Sequence, residues 1–289
     1  MILHNDARSM SMRPKSLVVA AAGLVMAMAA VVGGHEFWLA PSTYRPAVGE
    51  VVSIKTLVGD HFEGESRPRD PSKLDRFLLA TADGEVPVTG RDGVDPAGFA
   101  RIGTPGTYVV GYRSKHSRVV IKPDVFEGYL KEKGFDDVIK ARKDAGTDDE
   151  DGRERYSRCV KSILCVGGTP GKGWDHEFKF PLEIVPKADP YTLKAGDTLT
   201  VKVLAEGKPA AKVQVDAWVK GTKSIVVTGR TDDKGEIALK LPTKGEWLLS
   251  AVTIAPVTEK GADVEWESLW SSLTFDLAEG EKCDATPGK

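Results

Sequence analysis

An echo between the two halves of the chain limits its fold more than any other feature. PAVGEVVSIKTLV, from Pro46, is answered by LKAGDTLTVKVLA, from Leu193, which aligns Gly49 with Gly196. TPGTYVVGYRS is answered by TKGEWLLSAVT, which aligns Gly106 with Gly245. In each half a strand follows a Gly-acid turn, and a later strand carries an aromatic residue two places after a glycine. Two copies this far apart describe a duplicated domain; a solenoid needs several short repeats.

The segments between the echoes read as short strands. VVSIKTLV alternates, and LDRFLLATADGEVPVTG gives two strands around Asp83-Gly84, a strong hairpin signal. ARIGTPGTYVVGYRSKHSRVVIKP adds strands on either side of Pro105-Gly106, with a weaker turn near Lys115-His116. After Pro190 the chain consists of strand-length runs bounded by Gly, Pro and Asp, with no helix among them. The pattern predicts a mainly β fold of two immunoglobulin-like β-sandwich domains, the first followed by a short helical insertion.

The insertion spans about 123–166. Val125, Tyr129, Leu130, Phe135, Val138 and Ile139 recur at helical spacing, broken by Gly134, which predicts two short helices. The acidic run Thr147 to Gly152 lacks the ligand spacing of a calcium loop and reads as a solvated helix start. RERYSRCVKSILCVGG then predicts a third helix stopped by Gly167-Gly168. Its Arg153, Arg155, Arg158 and Lys161 read as ion-pair partners of the acidic run. The N-terminal domain is placed at 35–170, a connector with one strand, PLEIVP, at 171–189, and the C-terminal domain at 190–289.

Residues 1–34 read as a signal peptide, because Arg8, Arg13 and Lys15 precede the apolar run Ser16 to Val32. Ala27-Met28-Ala29 fits the small-residue cleavage pattern, whereas a cut after Val32-Gly33-Gly34 would leave His35 first; spacing does not choose between them. Retention of the run as a membrane anchor is the rival reading. The mature chain would be periplasmic or secreted, with no membrane span. Losing Arg8, Arg13, Lys15 and Asp6 moves the net charge from −2 to −4, a mild acidity that argues against a nucleic-acid partner. Export permits disulfides among Cys159, Cys165 and Cys283, but Cys159 and Cys165 would lie on different faces of the third helix.

Ligand-type side chains concentrate near the start of the exported part. His61 lies in GDHFEGE with Glu63 and Glu65, and in an extended segment these three would share a face. Were His35 the N-terminus, its amine and ring could join a second imidazole, His61 or His116, in a nitrogen set suited to copper or nickel. His176 sits in the connector. No catalytic constellation appears: Ser268, Ser271 and Ser272 lack a nucleophile elbow, Glu265 and Glu267 fit a solvated strand edge, and no phosphate loop is present. The six tryptophans read mostly as core and alternatively as a sugar-stacking surface. An alternative assignment is therefore a structural or carbohydrate- or protein-binding module of the cell envelope.

HEFWLAP, GDHFEGE, FEGYLKEKGFDDVIKAR, RERYSRCVKSIL, LEIVPKADP and DVEWESLWSSLTFDL together resemble a bacterial periplasmic domain-of-unknown-function family often labelled as a nickel/cobalt uptake (transport) component. The resemblance covers His35 to Leu277 and places His35, Trp38, His61, Glu65, Trp266, Glu267 and Ser268 on motif positions. It implies an exported, β-rich protein with a histidine close after the signal and a divalent-metal role; together with the ligand-type residues this predicts a non-enzymatic protein that binds a divalent transition metal (nickel, cobalt or copper) for uptake or sensing. The metal would sit at His35, His61, Glu63 and Glu65, with an envelope protein or transporter as a further partner. Separately, GKPAAKVQVDAW followed by TDDKGEIALKL is similar to the immunoglobulin-like or prealbumin-like modules of secreted proteins.

Overall fold

A computed structural model of the chain describes Met1 and residues 35–277. The expected signal peptide, its cleavage points and Cys283 lie outside the described residues. The first half contains β1 (Glu36–Pro41), β2 (Val51–Asp60), β3 (Glu63–Arg67), β4 (Leu74–Thr81), β5 (Gly84–Pro87), β6 (Gly98–Arg101), β7 (Gly106–Ser114) and β8 (Ser117–Ile121). Helices α1 (Pro123–Glu132) and α2 (Asp136–Ala145) follow, then β9 (Gly152–Val166). The second half contains β10 (Leu182–Pro186), β11 (Thr198–Ala205), β12 (Lys208–Pro209), β13 (Gln214–Val219) and β14 (Val227–Arg230). It ends with β15 (Glu236–Lys240), β16 (Gly245–Pro256) and β17 (Trp266–Leu277).

The echo in the sequence is an echo in topology. One four-stranded sheet runs β1-β2-β3 with β6 also on β2, and a second runs β10-β11-β12 with β15 also on β11. A nine-stranded sheet holds β14-β13-β16-β17-β9-β7-β4-β5, with β8 continuing beside β9. Strand for strand, β4, β5, β7 and β9 have counterparts in β13, β14, β16 and β17. The aligned glycines share a conformation: Gly49 and Gly196 have φ of 78° and 94°, and Gly106 and Gly245 of 141° and 125°. Glycine alone enters these regions without penalty. The mainly β, sandwich-built fold read from the sequence is the fold observed.

The halves meet where β17 pairs in parallel with β9, from Trp266 opposite Glu154 to Thr274 opposite Ser162. Alternate side chains of a strand point to opposite faces, so contacts from these strands locate the flanking sheets. The Lys161 ammonium is 3.0 Å from Glu183 of β10. On the other face Arg158 donates to the His35 carbonyl, and Ser272 and Thr274 donate to the carbonyls of Phe37 and Leu39 on β1. The two four-stranded sheets therefore cover opposite faces of the central sheet.

That burial corrects the third helix. Residues 159–166 of β9 are all buried, because both faces are covered at the junction. A strand buried on both sides has no alternation, and its run of apolar residues mimics a buried helix. Cys159 and Cys165 lie six residues apart on this one strand, roughly 20 Å at about 3.3 Å per residue, too far to bond to each other. The basic residues of β9 do not pair with the acidic run: Arg153 meets Glu265, Arg155 meets Glu259 and Glu267, and Lys161 meets Glu183. Lys115-His116 is also a bulge and not a reversal. β7 and β8 run in the same direction along β9, and their pairing slips by one residue between Arg113↔Cys159 and Ser117↔Tyr156. The two helices broken by Gly134 are as expected, with Gly146 closing α2 in the left-handed conformation.

Trp247, Trp38, Trp218 and Trp270 are buried in cores, so most tryptophans pack and form no open stacking surface. Lys161 and Glu183, 1% and 2% exposed, form a buried ion pair, and Glu183 also accepts from the amides of Phe178 and Phe180. Burial pulls the Lys161 ammonium below its ordinary pKa, while Glu183 pulls it back up. Lys161→Met should cost about 3–5 kcal/mol, because it strands a buried carboxylate. Adding Glu183→Gln should recover more than half of that loss, as read from urea midpoints.

Candidate functional site

The register of β1 on β2 sets Glu36 opposite Gly59, and so brings His35 to the end of β2 beside Asp60. The Nδ1 of His35 lies 2.8 and 2.9 Å from the two carboxylate oxygens of Asp60. β2 and β3 are then joined by the two-residue turn His61-Phe62, with φ of 55° and 63°. Two positive φ values make this a type I′ hairpin, a turn that strongly prefers Asn-Gly. For residues with a Cβ the left-handed conformation costs about 1–2 kcal/mol each. Packing offsets part of the cost: Phe62 is buried edge-on against Trp38, ring centroids 5.5 Å apart. Gly64 lets β3 lie close to that indole, since a Cβ there would meet Trp38 Cη2 at 2.6 Å.

This turn changes the geometry read from the sequence. His61 sits at the hairpin tip, so it does not share a strand face with Glu63 and Glu65, which are exposed on β3. What His61 joins is a cavity of about 320 Å³. His35, Asp60 and His61 line one side, Val125, Tyr129 and Glu132 of α1 the other, and Trp218 of β13 also contributes. Glu63 and Glu65 are not part of it. The buried Trp218 Nε1 meets no hydrogen-bond partner among the described residues. His116 and His176 lie elsewhere, at 2.8 Å from Glu267 and 3.0 Å from Glu85 respectively. Among the described residues, no group of three or more His, Cys, Asp and Glu side chains gathers so as to hold a metal ion.

The wall formed by α1 is fastened by a charge that sequence reasoning missed. Lys133, just past the helix and 4% exposed, places its ammonium 2.7 Å from Glu36 and 3.0 Å from Glu132. It also lies over the rings of Trp218 and Trp270, at 5.9 and 5.6 Å. Burial alone would lower its pKa, but Glu36 and Glu132 outweigh burial and hold the ammonium charged. Ser250 donates to the other oxygen of Glu36. From the second half, Gln214 donates to the Glu132 carbonyl and Arg230 to the Gly134 carbonyl. Both halves thus build the pocket. A lysine at a helix end and a glutamate inside HEFWLA gave no signal of meeting, because their pairing depends on tertiary packing alone.

Behind the wall lies a second buried polar group. Glu154 of β9, 2% exposed, accepts from Ser268 Oγ, which itself accepts from Trp270 Nε1 at 2.8 Å. The other oxygen of Glu154 meets no hydrogen-bond partner among the described residues. Burial pushes the carboxyl up to about 7, with Ser268 and Arg158 pulling the other way. Tyr129 stacks on Trp270, centroids 5.6 Å apart, and the Arg158 guanidinium lies 4.4 Å from the same indole.

Two tests follow from this geometry. Glu154 has a folded-state pKa above its ordinary 4.5. Below pH 4.5 both folded and unfolded chains hold the proton and the group contributes nothing. Between 4.5 and about 7 the unfolded chain ionises first, so stability should fall by about 3 kcal/mol as pH rises and then level off. Urea midpoints at pH 5 and 8 should show this contribution in the wild type and lack it in Glu154→Gln. At the turn, His61→Gly should raise the unfolding free energy by about 0.5–1 kcal/mol, since glycine relieves the left-handed strain. A lower midpoint would show that His61 is held by contacts worth more than that strain.

A sequence profile of the family described as "Domain of unknown function (DUF4198)" matches residues 32–255, and the chain belongs to that family. Comparison with curated protein sequences gives no match. Among solved structures, the chain is similar to the D0-D1 domain of Intimin at 12% identity and a TM-score of 0.19, covering 83% of this chain and 97% of that one. It is similar to the human OSCAR ligand-binding domain at 12% identity and a TM-score of 0.21, covering 84% and 99%. It is also similar to the Yersinia pseudotuberculosis adhesin InvE at 10% identity and a TM-score of 0.19, covering 84% and 59%. Superpositions this loose specify neither site nor partner. Among the described residues no helix is long and apolar enough to cross a membrane.

Proposed function

We propose that this member of the family is an exported, non-enzymatic ligand-binding module of the cell envelope, and that its ligand occupies the pocket between His35, His61 and α1. The observation that carries the reading is the His61-Phe62 turn. A hairpin that glycine would close without strain instead holds two side-chain-bearing residues in the left-handed region, and the outcome is an imidazole presented to a pocket. Strain of this kind concentrates where a side chain is needed for a task. The pocket also offers the carboxylates of Asp60 and Glu132. A saccharide or an extended peptide segment suits such a mixed lining of hydrogen-bonding rim and aromatic edge.

The second reading is a divalent transition metal, nickel, cobalt or copper, bound for uptake or sensing. It is favoured by the presence of both His35 and His61 on the rim of one pocket. Asp60 would then be their carboxylate neighbour in place of Glu63 and Glu65, and water or side-chain movement would have to complete the set.

Calorimetric titration with peptidoglycan-derived saccharides, short peptides, and nickel, cobalt and copper salts separates the two. The module reading expects a saccharide or peptide to bind tighter than about 1 mM in the presence of a chelator. It also expects His61→Ala and Glu132→Gln each to weaken binding about tenfold, or about 1.4 kcal/mol. The metal reading expects affinity to fall in acid, since an imidazole must be deprotonated to ligate. Binding that ignores both substitutions would contradict a pocket-centred function.

A further inference from the structure

Helix α1 carries one wall of the pocket, yet it rests on a core of its own. Phe126, Tyr129 and Leu130 pack with Ile121, Val252 and Trp270 in a cluster separate from the main core. Small satellite clusters open more readily than the core they adjoin. The fit is close: Gly152 leaves room for the Phe126 ring, which a Cβ there would meet at 2.5 Å. Two residues along the same strand face stands Glu154, whose carboxyl has one donor, Ser268, and one oxygen without a partner among the described residues.

The groups around Glu154 offer little to a negative charge. From its own strand come Tyr156 and Arg158; from β17 Ser268 and Trp270; from α1 Tyr129; and across the pairing to β8 lies Val119. Arg158 is the cation of this set, and its guanidinium is already engaged by the His35 carbonyl and the face of Trp270. Farther out, Glu36 and Lys133 compensate each other at 2.7 Å. A neutral carboxyl fits this surrounding, whereas a carboxylate is left with one hydroxyl donor and an indirect cation.

We propose that Glu154 is a proton-controlled latch for α1: with the carboxyl protonated the helix lies on the central sheet, and on ionisation it loosens, so the wall bearing Tyr129 and Glu132 moves with proton concentration. The latch regulates the pocket and in that respect rests on the reading of the pocket as a binding site. Its size follows from linkage. With a midpoint of about 7 in the closed state and the ordinary 4.5 in the open one, the opening constant of α1 rises about tenfold from pH 6 to pH 8.

Hydrogen exchange of the full chain, read by mass spectrometry at pH 6, 7 and 8 and corrected for intrinsic exchange rates, measures this opening. Protection of residues 123–132 should fall about tenfold over that range relative to β16, and the fall should vanish in Glu154→Gln. Ser268→Ala removes the hydroxyl that favours the carboxylate, so the midpoint should move to higher pH. This second variant tests the latch even where Glu154→Gln does not fold. Protection that stays flat with pH in the wild type, or an undiminished slope in folded Glu154→Gln, overturns the proposal. No ligand enters this measurement. A latch found in a chain whose pocket binds nothing leaves the proton control standing and removes the functional reading, and the converse result does the opposite.

Discussion

The parallel ladder between β9 and β17 is the constraint on which the rest of the molecule depends. Each half supplies a strand that ends its own sheet, and joining the two makes one continuous sheet of nine strands. That junction sets Trp218, Gln214 and Arg230 of the second half beside α1 of the first, where Gln214 and Arg230 bond the carbonyls of Glu132 and Gly134. The pocket takes lining residues from both halves: His35, Asp60, His61 and α1 from the first and Trp218 from the second. The ladder joins residues more than a hundred positions apart, a non-local pairing whose loop-closure cost must be met by burial on both faces.

Much of the fold was legible, and the reasons differ by element. The Gly-acid turns and the glycines before Tyr108 and Trp247 are local signals set by backbone conformation, and they fall at matching places in the two halves. The hairpin at Asp83-Gly84 and the helices around Gly134 were legible on similar grounds. β9 was misread because burial on two faces erases alternation. Its counterpart DVEWESLWSSLTFDL, read as strand in the other half, was the signal that could have corrected it. At the site, the sequence drew attention to His35 and His61 and the structure places both on one pocket. It could not show that His61 leaves the strand at a type I′ turn, because His-Phe carries no turn signature. Glu132, Lys133, Glu36 and Trp218 were out of reach altogether.

The site combines three expensive features within one small region. A hairpin tip is held in left-handed conformation, a lysine is buried against the buried carboxylate of Glu36 with the exposed Glu132 beside it, and a further buried carboxyl has one oxygen without a partner among the described residues. Each costs stability that apolar residues or glycine would not, and a buried ion pair is often no more stabilising than a packed hydrophobic substitute. The turn borders the cavity, Lys133 fastens its α1 wall and Glu154 lies behind that wall, while a further buried ion pair, Lys161–Glu183, stands on the other face of the central sheet. The same polar layer ties the helix, the first strand and the central sheet into one mechanical unit.

The most direct test is a crystal structure of the protein purified from its native source without added chelator. The expected result is density for a bound molecule beside His61, Glu132 and Trp218, in contact with both halves of the chain. A pocket holding only water, with a ligand or partner seated on another surface, would contradict it.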